Sequence, residues 1–145
     1  MHYFKKSFAN FLRCGLCGWC MEILFTAYAN LKRRDLKAIG HTSLWMFPIY
    51  GLACFIAPLS KRIRKLHWCI RGSIYTFLIF CVEFFSGRFL TKYHLCPWNY
   101  QTSKYHIHGV IRLDFIPVWF ATGLFFEQWL TSSRKDKRSI KRHLL

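Results

Sequence analysis

The chain alternates between four long apolar segments and short polar connections. The segments run from about Phe8 to Leu31, Ser43 to Leu59, Trp68 to Leu90 and Val110 to Leu130. A helix needs about 20 residues to cross the hydrocarbon core of a membrane, and the first, third and fourth segments reach that length. The pattern therefore predicts an all-α, polytopic membrane protein with about four transmembrane helices.

The second apolar segment is the shortest, and it contains Pro48 and Pro58. Proline is tolerated in a membrane helix when neighbouring groups satisfy the carbonyls that it leaves unbonded. This segment is predicted to be either a short crossing helix or a re-entrant one. Residues 1–131 are predicted to form a single transmembrane bundle, followed by a basic cytoplasmic tail over residues 132–145.

The charge balance identifies the expected partner. The 145 residues include 22 Lys and Arg against 6 Asp and Glu, a net charge of +16. In a soluble domain such a surplus would suggest nucleic-acid binding. Here the basic residues form clusters beside the apolar segments, at residues 32–34, 61–65 and 134–142. Clusters so placed are typical of contact with anionic headgroups, so we expect a lipid bilayer as partner and no nucleic acid.

Lys and Arg also predict the orientation, because the loops richer in these residues stay in the cytoplasm. With four crossings, both termini share a side with residues 61–65, and this side carries more Lys and Arg than the other. Both termini are therefore predicted to be cytoplasmic.

Four of the six acidic residues lie within the apolar segments: Glu22, Glu83, Asp114 and Glu127. A charged group at membrane depth costs on the order of 2.5–3.5 kcal/mol or more, so it normally faces a bundle interior or a polar path. Glu22 and Glu83 each lie on a stripe of mostly small or polar residues at helical spacing. The stripes are Gly15, Gly18, Glu22, Thr26 and Ala29 in the first segment, and Ser73, Thr76, Phe80, Glu83 and Gly87 in the third. We expect the two stripes to share one polar site, or both glutamates to serve only as hydrogen-bonding contacts between helices.

Two further acids have predicted surroundings. Asp114 and Arg112 are expected to meet Glu83 and Arg88 near the outer face, with ion pairing that offsets their burial. The alternative is that these long side chains extend to the headgroups. Glu127 lies within a turn of an interfacial tryptophan, which favours an anchoring role.

Cysteine and histidine patterns give no metal or redox site. The seven cysteines are odd in number and six lie in apolar segments, so no disulfide framework is expected. The run Cys14, Cys17, Cys20 lacks the fourth ligand of an iron–sulfur motif. The residues His94, Cys96, His106 and His108 share one connection without a familiar zinc spacing. No cofactor is predicted, and the sequence contains neither a P-loop nor a nucleophile-elbow motif.

Several motifs, in order along the chain, resemble those of one family of membrane proteins. The motif residues are Gly18–Glu22, His41–Gly51, Val82–Gly87, Cys96–Tyr100 and Gly109–Asp114, followed by Trp119, Gly123 and Glu127. They resemble the transmembrane protein 229 family and its bacterial relatives, which are labelled putative ABC-transporter type IV or putative ABC transporter permease. The resemblance spans about Leu12 to Leu130 and implies a small integral membrane protein of a bacterial cell membrane.

The resemblance also bears on individual residues. The family has glutamates at the positions of Glu22, Glu83 and Glu127, which gives Glu127 more weight than an anchor alone. The family usually has an aspartate where this chain has Asn99, between Trp98 and Tyr100. Carboxylate chemistry at that position is therefore in doubt here, although an asparagine can keep a hydrogen-bonding role in the loop.

Three functions follow as hypotheses. The first is a transport component or permease-like protein in which Glu22 and Glu83 line a polar site, with Asp114, Arg88 and Arg112 at its outer mouth. Trp98 is then expected to fold back over this mouth as a cover, the alternative being a solvated loop whose aromatic rings rest on headgroups. The second is an accessory or scaffolding subunit whose acids only fix helix packing. The third and weaker one is an intramembrane enzyme acting on lipid. A permease this small would have to oligomerise or join a larger complex.

Overall fold

The fold is mostly helical. The computed structural model describes the backbone of residues 2–143 and the side chains of residues 6–132. The helices are α1 (His2–Lys32), α2 (Met46–Gly51), α3 (Ile56–Ile63), α4 (Trp68–Lys92) and α5 (Ile116–His143), with strands β1 (His106–Ile107) and β2 (Ile111–Arg112). Short 3-10 turns cover Leu52–Phe55 and Leu113–Phe115. The chain divides into two compact units, Met1–Cys54 and Phe55–Leu145.

The first unit is α1 with the following segment folded back along it. Glycines allow the close approach, since a Cβ on Gly18 would meet the Tyr50 ring at 2.1 Å. The return connection is tied to α1 by side chains: Trp19 Nε1 donates to the Ser43 carbonyl at 2.9 Å, and Asn30 Nδ2 donates to the Ile39 carbonyl at 2.8 Å. The small-residue stripe of α1 therefore packs against α2, a segment of its own unit.

The second apolar segment is not one continuous helix. It forms α2 and α3, joined by the 3-10 turn Leu52–Phe55. Pro48 and Pro58 each stand third in their helix. A proline in the first turn removes no hydrogen bond that the helix would otherwise make. The prolines thus fit two short helices better than the interior of one long helix.

The second unit is built on a helical hairpin of α4 and α5, against which α3 packs. The two long helices approach closely at glycines: a Cβ on Gly123 would lie 2.4 Å from Cβ of Tyr75, and one on Gly72 would lie 2.3 Å from the Phe120 ring. Tyr75 and Phe126 are almost completely buried at this contact. The buried residues of α4 fall on one face of the helix: Gly72, Tyr75, Thr76, Glu83, Gly87 and Leu90.

A small β-hairpin precedes α5, which the all-α prediction did not include. β1 and β2 pair antiparallel, with Ile107 opposite Ile111. Val110 and Ile111 are β-branched residues, which favour strand and extended conformations over helix. The fourth apolar segment was predicted to become helical from about Val110, but α5 begins at Ile116. Pro117 is its second residue, a first-turn position where proline is tolerated.

Among the described residues, two helices are long and apolar enough to cross a membrane: α1 over Lys6–Lys32 and α4 over Trp68–Lys92. Only 17% and 22% of their most apolar windows are buried, whereas the core helix of a soluble protein would be mostly buried. Large side chains such as Leu24, Phe77 and Phe85 are 69%, 67% and 72% exposed. These apolar surfaces suit a lipid environment. Crossings by the α2–α3 segment and by α5 stay predictions.

Candidate functional site

Glu22 lies about two thirds of the way along α1 and has a defined partner within the first unit. Tyr50 Oη donates a hydrogen bond of 2.5 Å to Glu22 Oε2. The neighbouring Gly18 leaves the space that the Tyr50 ring fills. Such a contact satisfies a carboxyl group within an apolar helix, and it also fixes α2 on α1.

We expect Tyr50→Phe to make Glu22 more reactive towards dicyclohexylcarbodiimide, an apolar reagent that modifies carboxyl groups in membranes. The substitution keeps the ring that fills the space beside Gly18 but removes the hydroxyl that covers Oε2. Modification of Glu22 can be followed by mass spectrometry of the digested protein. The exposed Tyr28 supplies the control Tyr28→Phe, which should react like the wild type. Equal rates for the two variants would mean that the hydroxyl does not protect Glu22.

A cluster of three polar residues lies between α4 and α5. Arg71 Nε and Glu127 Oε2 form an ion pair at 3.4 Å, with side chains 23% and 12% exposed. The Arg71 Nε contact lacks hydrogen-bond geometry. The hydroxyl of the buried Tyr75 lies within electrostatic reach of both charges. Glu127, predicted to be an interfacial anchor with additional weight from the family resemblance, is thus the partner of a cation on the facing helix.

Glu83 is the most deeply buried acid for which the structure gives an exposure, at 8%. It lies on the same buried face of α4 as Tyr75, and its Cα is about 18 Å further along the axis than that of Arg71, at 1.5 Å per residue. Thr76 on α4 and Thr122 on α5, 6% exposed each, add buried hydroxyl groups to the second unit. A buried polar face thus extends along an otherwise apolar helix.

Asp114 and Arg112 pair with each other before α5 begins. Arg112 Nε donates to Asp114 Oδ1 at 2.8 Å, and Nη2 donates to Oδ2 at 2.6 Å. These bonds hold the pKa of Asp114 below its ordinary value. The side chains are 36% and 42% exposed, and Arg88 on α4 is exposed as well. The three residues predicted to form an outer mouth therefore lie at the loop end of the hairpin, with Arg112 bonded to Asp114.

The loop from Trp98 to Tyr100 is folded against the second unit. Trp98 Nε1 donates to the Val110 carbonyl at 3.0 Å, and its ring edge would lie 3.1 Å from a Cβ on Gly87. Gly87 is one helical turn after Glu83. Asn99 Oδ1 accepts a hydrogen bond from Gln101 N at 2.9 Å, and Tyr100 N donates to the Gly109 carbonyl at 2.8 Å. The role of Trp98 as a cover for Glu83 and Asp114 stays a prediction.

The structure brings some of the predicted residues together and adds others. Trp98 packs beside Gly87, one helical turn after Glu83. Glu127 lies on the facing α5 beside Arg71, which is about 18 Å from Glu83 along α4. Glu22 belongs to the first unit, so a polar site shared by Glu22 and Glu83 stays a prediction. Three polar residues close to the acids were not predicted from the sequence: Arg71, Tyr75 and Tyr50. Arg71 carried a signal, because an arginine inside an apolar segment is costly without an acidic partner.

The described residues contain no group of three or more His, Cys, Asp or Glu side chains arranged to hold a metal ion. His94, Cys96, His106 and His108 share one connection, but their side chains do not converge into such a group. The chemistry of the described site is therefore that of ion pairs, hydroxyl groups and protonatable carboxyl groups within apolar helices.

Comparison with known proteins supplies the family. No solved structure matches the chain. The sequence matches the family described as "Putative ABC-transporter type IV" over residues 9–144, which is nearly the whole chain. The match agrees with the resemblance of the motifs from Gly18 to Glu127 to the bacterial putative ABC-transporter family. It does not support the transmembrane protein 229 family. The chain belongs to the Putative ABC-transporter type IV family.

Proposed function

We propose that this protein is a small permease-like component of a transport system in a bacterial cell membrane. Its spans would be α1, the α2–α3 segment, α4 and α5, with both termini in the cytoplasm. Membership of an ABC-transporter family and the two long apolar helices support a membrane transport role at the coarse level. The buried polar face of α4 is the observation that carries the finer proposal.

Burying ionisable groups at membrane depth costs free energy, and this cost is the reason to connect the polar face of α4 with transport. Arg71, Tyr75 and Glu83 occupy about 18 Å of a helix, more than half of a hydrocarbon core about 30 Å thick. Glu127 offsets the charge of Arg71 across the helix contact. Ionisable residues within membrane helices commonly mark substrate or ion pathways, because packing alone is achieved more cheaply by apolar side chains.

The remaining predicted residues have places in this proposal. Glu22, with its partner Tyr50, would contribute to the same polar path from α1. Arg88, Arg112 and Asp114 would form the outer mouth, beneath the Trp98 loop. The chain has no P-loop, so an ABC-type system would take its ATP hydrolysis from a partner. We therefore expect a homo-oligomer or a larger membrane complex in the cell.

A scaffolding role is the second candidate, and one observation favours it. Two of the acids directly contact a polar side chain of their own unit: Glu22 contacts Tyr50, and Glu127 contacts Arg71. Paired groups of this kind also serve as polar contacts that fix helix packing. The two functions differ in whether water reaches the buried face of α4.

Thiol labelling in membrane vesicles separates the two functions. The native cysteines are first replaced by Ala or Ser, and single cysteines are then placed at Thr76 or Thr122, the buried hydroxyl positions. A transport path predicts that a small, charged methanethiosulfonate reagent modifies both positions. The matched control is Phe77→Cys on the exposed face of α4, where lipid should suppress thiolate formation and labelling.

Labelling of Thr76→Cys and Thr122→Cys but not of Phe77→Cys would support the path. If neither buried position reacts while an exposed Ser132→Cys does, water does not reach the buried face of α4, and the result supports the scaffolding role. Each variant is first tested for insertion by its resistance to alkaline extraction from the membrane. This control ensures that a lack of labelling does not merely reflect a protein that never inserted.

A further inference from the structure

The connection between α4 and α5 contains an open cleft of about 210 Å³ within the second unit. Its volume is roughly seven times that of a water molecule in the liquid. The lining residues are Thr91, His94, Cys96, Trp98, Asn99, Gln101, His108, Gly109 and Val110. None of the lining residues carries a carboxyl group, and the imidazoles of His94 and His108 are its basic groups.

His94 occupies a backbone position that usually belongs to glycine. Its φ is +57°. Helix α4 ends with Leu95 N donating to the Leu90 carbonyl at 2.9 Å and His94 N donating to the Thr91 carbonyl at 3.1 Å. This pair of bonds defines a Schellman motif, whose left-handed residue is most often glycine because a side chain adds strain.

His108 occupies a second position of this kind. The β-hairpin turn is closed by Val110 N donating to the Ile107 carbonyl at 3.1 Å, and its central residues His108 and Gly109 have φ of +51° and +69°. Positive φ at both central residues is the requirement of a type I′ turn, in which Asn-Gly, Asp-Gly and Gly-Gly are the favoured pairs. A histidine here, as at His94, is tolerated but strained relative to glycine.

We propose that this cleft is a binding site for a phosphate group, with His94 and His108 as its donors. Two strained positions carry the same side chain and line the same cleft, which backbone stability alone does not favour. Arg34 and Ala38 in the first unit also have positive φ, so what distinguishes His94 and His108 is that both line one cleft. The two donors are not residues of the proposed polar path along α4, although Trp98 and Asn99 of the loop over that path also line the cleft.

The charge around the cleft selects an anion. From Arg88 to Leu113 the chain contains Arg88, Lys92, Lys104 and Arg112, three histidines and no Asp or Glu. The next acid in the sequence, Asp114, is already bonded to Arg112. The part of the chain that the structure describes holds no group of three or more His, Cys, Asp or Glu side chains placed to bind a metal ion. A phosphate oxygen accepts hydrogen bonds from imidazole and amide donors, and these bonds are strengthened by the ligand's charge.

The surroundings of the cleft suit a membrane surface. Lys92 Nζ lies 5.9 Å from the Tyr93 ring centre, and Lys104 Nζ lies 5.5 Å from that of Tyr105. Exposed tyrosines beside lysines at the end of an apolar helix are typical of the headgroup region. The phosphate would come either from an anionic lipid headgroup or from a soluble phosphate compound, and the chemistry of recognition is the same for both.

The test uses the full chain in lipid nanodiscs with two probes. Radiolabelled inorganic phosphate is titrated by equilibrium dialysis against protein in phosphatidylcholine discs. Phosphatidylglycerol retention is counted separately by native mass spectrometry of protein from discs that contain that lipid. Binding of free phosphate identifies a soluble source, whereas retention of phosphatidylglycerol alone identifies a headgroup. Either result supports the site if the histidine variant described next binds that probe more weakly than the wild type does.

The decisive variant is the double substitution His94→Gly and His108→Gly. It removes both donors while supplying the residue that each backbone position prefers, so the unfolding midpoint without ligand should stay equal or rise. Binding should weaken by about tenfold or more, the expected cost of losing hydrogen bonds to a charged group. The control His41→Gln removes an exposed imidazole in the first unit and should bind like the wild type.

The proposal is overturned if neither probe binds the wild type. It is also overturned if the double variant folds and binds the same probe as tightly as the wild type does. Should the glycine variant fail to fold, His94→Asp with His108→Asp decides by the same criterion, because aspartate also tolerates positive φ and presents a negatively charged acceptor to the phosphate in place of a donor.

Discussion

Replacing Glu127 with leucine is expected to destabilise the protein by about 3 kcal/mol, because it leaves the cation of Arg71 buried without its partner. Both side chains are largely buried and form the ion pair that links α4 to α5. Removing both charges, with Arg71→Met and Glu127→Leu, should cost much less, since apolar side chains of similar volume often replace a buried ion pair at little net cost. The free energy of unfolding can be measured by titration with sodium dodecyl sulfate in mixed micelles.

The two single variants and the double variant form a thermodynamic cycle. We expect a favourable coupling energy between Arg71 and Glu127 within the range of about 0.5–3 kcal/mol found for residues in contact. A matched control is Arg88→Met, which removes an exposed cation from the same helix and should change stability by less than about 0.5 kcal/mol. Additive effects of the two single substitutions would contradict an ion pair that holds the hairpin together.

Gly123→Ala is expected to destabilise the protein by about 1–3 kcal/mol through overpacking. The added Cβ would lie 2.4 Å from Cβ of Tyr75, an atom fixed to the α4 backbone, so the two helices must separate. Helix propensity alone predicts the opposite sign, a gain of roughly 1 kcal/mol for alanine over glycine. Gly72→Ala should cost less, because the atom it meets is the outer edge of the Phe120 ring, which can rotate.

The exposed Ala121 supplies the matched control for this prediction. Ala121→Gly, two residues before Gly123 on α5, should destabilise the protein by roughly 1 kcal/mol through propensity alone. Thermal unfolding of the three variants in detergent gives the comparison. A rise in the unfolding midpoint for Gly123→Ala would show that α4 and α5 are not in close contact at Tyr75.

The sequence allowed the helical class and its most apolar helices to be predicted, because their signal is local. Runs of apolar residues such as Trp68 to Leu90 need no knowledge of their neighbours, and α4 follows that segment to within two residues at its C-terminal end. The acids were recognised for a similar reason: a carboxyl group in an apolar run is anomalous on its own.

The partners of the acids could not be predicted in this way. Tyr50 and Glu22 are distant in sequence, and their contact depends on the return of the chain against α1. The partnership of Arg71 with Glu127 likewise depends on the register of the α4–α5 hairpin. The β-hairpin before α5 escaped prediction because Val110 and Ile111 continue an apolar run, and periodicity alone cannot separate a short strand from a helix start.

We propose that α4 and α5 both cross the membrane, which would place the Arg71–Glu127 pair inside the bundle. Impermeant maleimide labelling of intact cells tests it directly, with single cysteines at Leu66, Thr102 and Ser132, which precede α4, lie between the helices, and follow the apolar part of α5. All three positions are exposed in the structure. We predict labelling from outside at Thr102→Cys alone, with Leu66→Cys and Ser132→Cys labelled only after the cells are opened. Labelling of Thr102→Cys and Ser132→Cys from the same side would mean that α5 does not cross, and would contradict the four-span account.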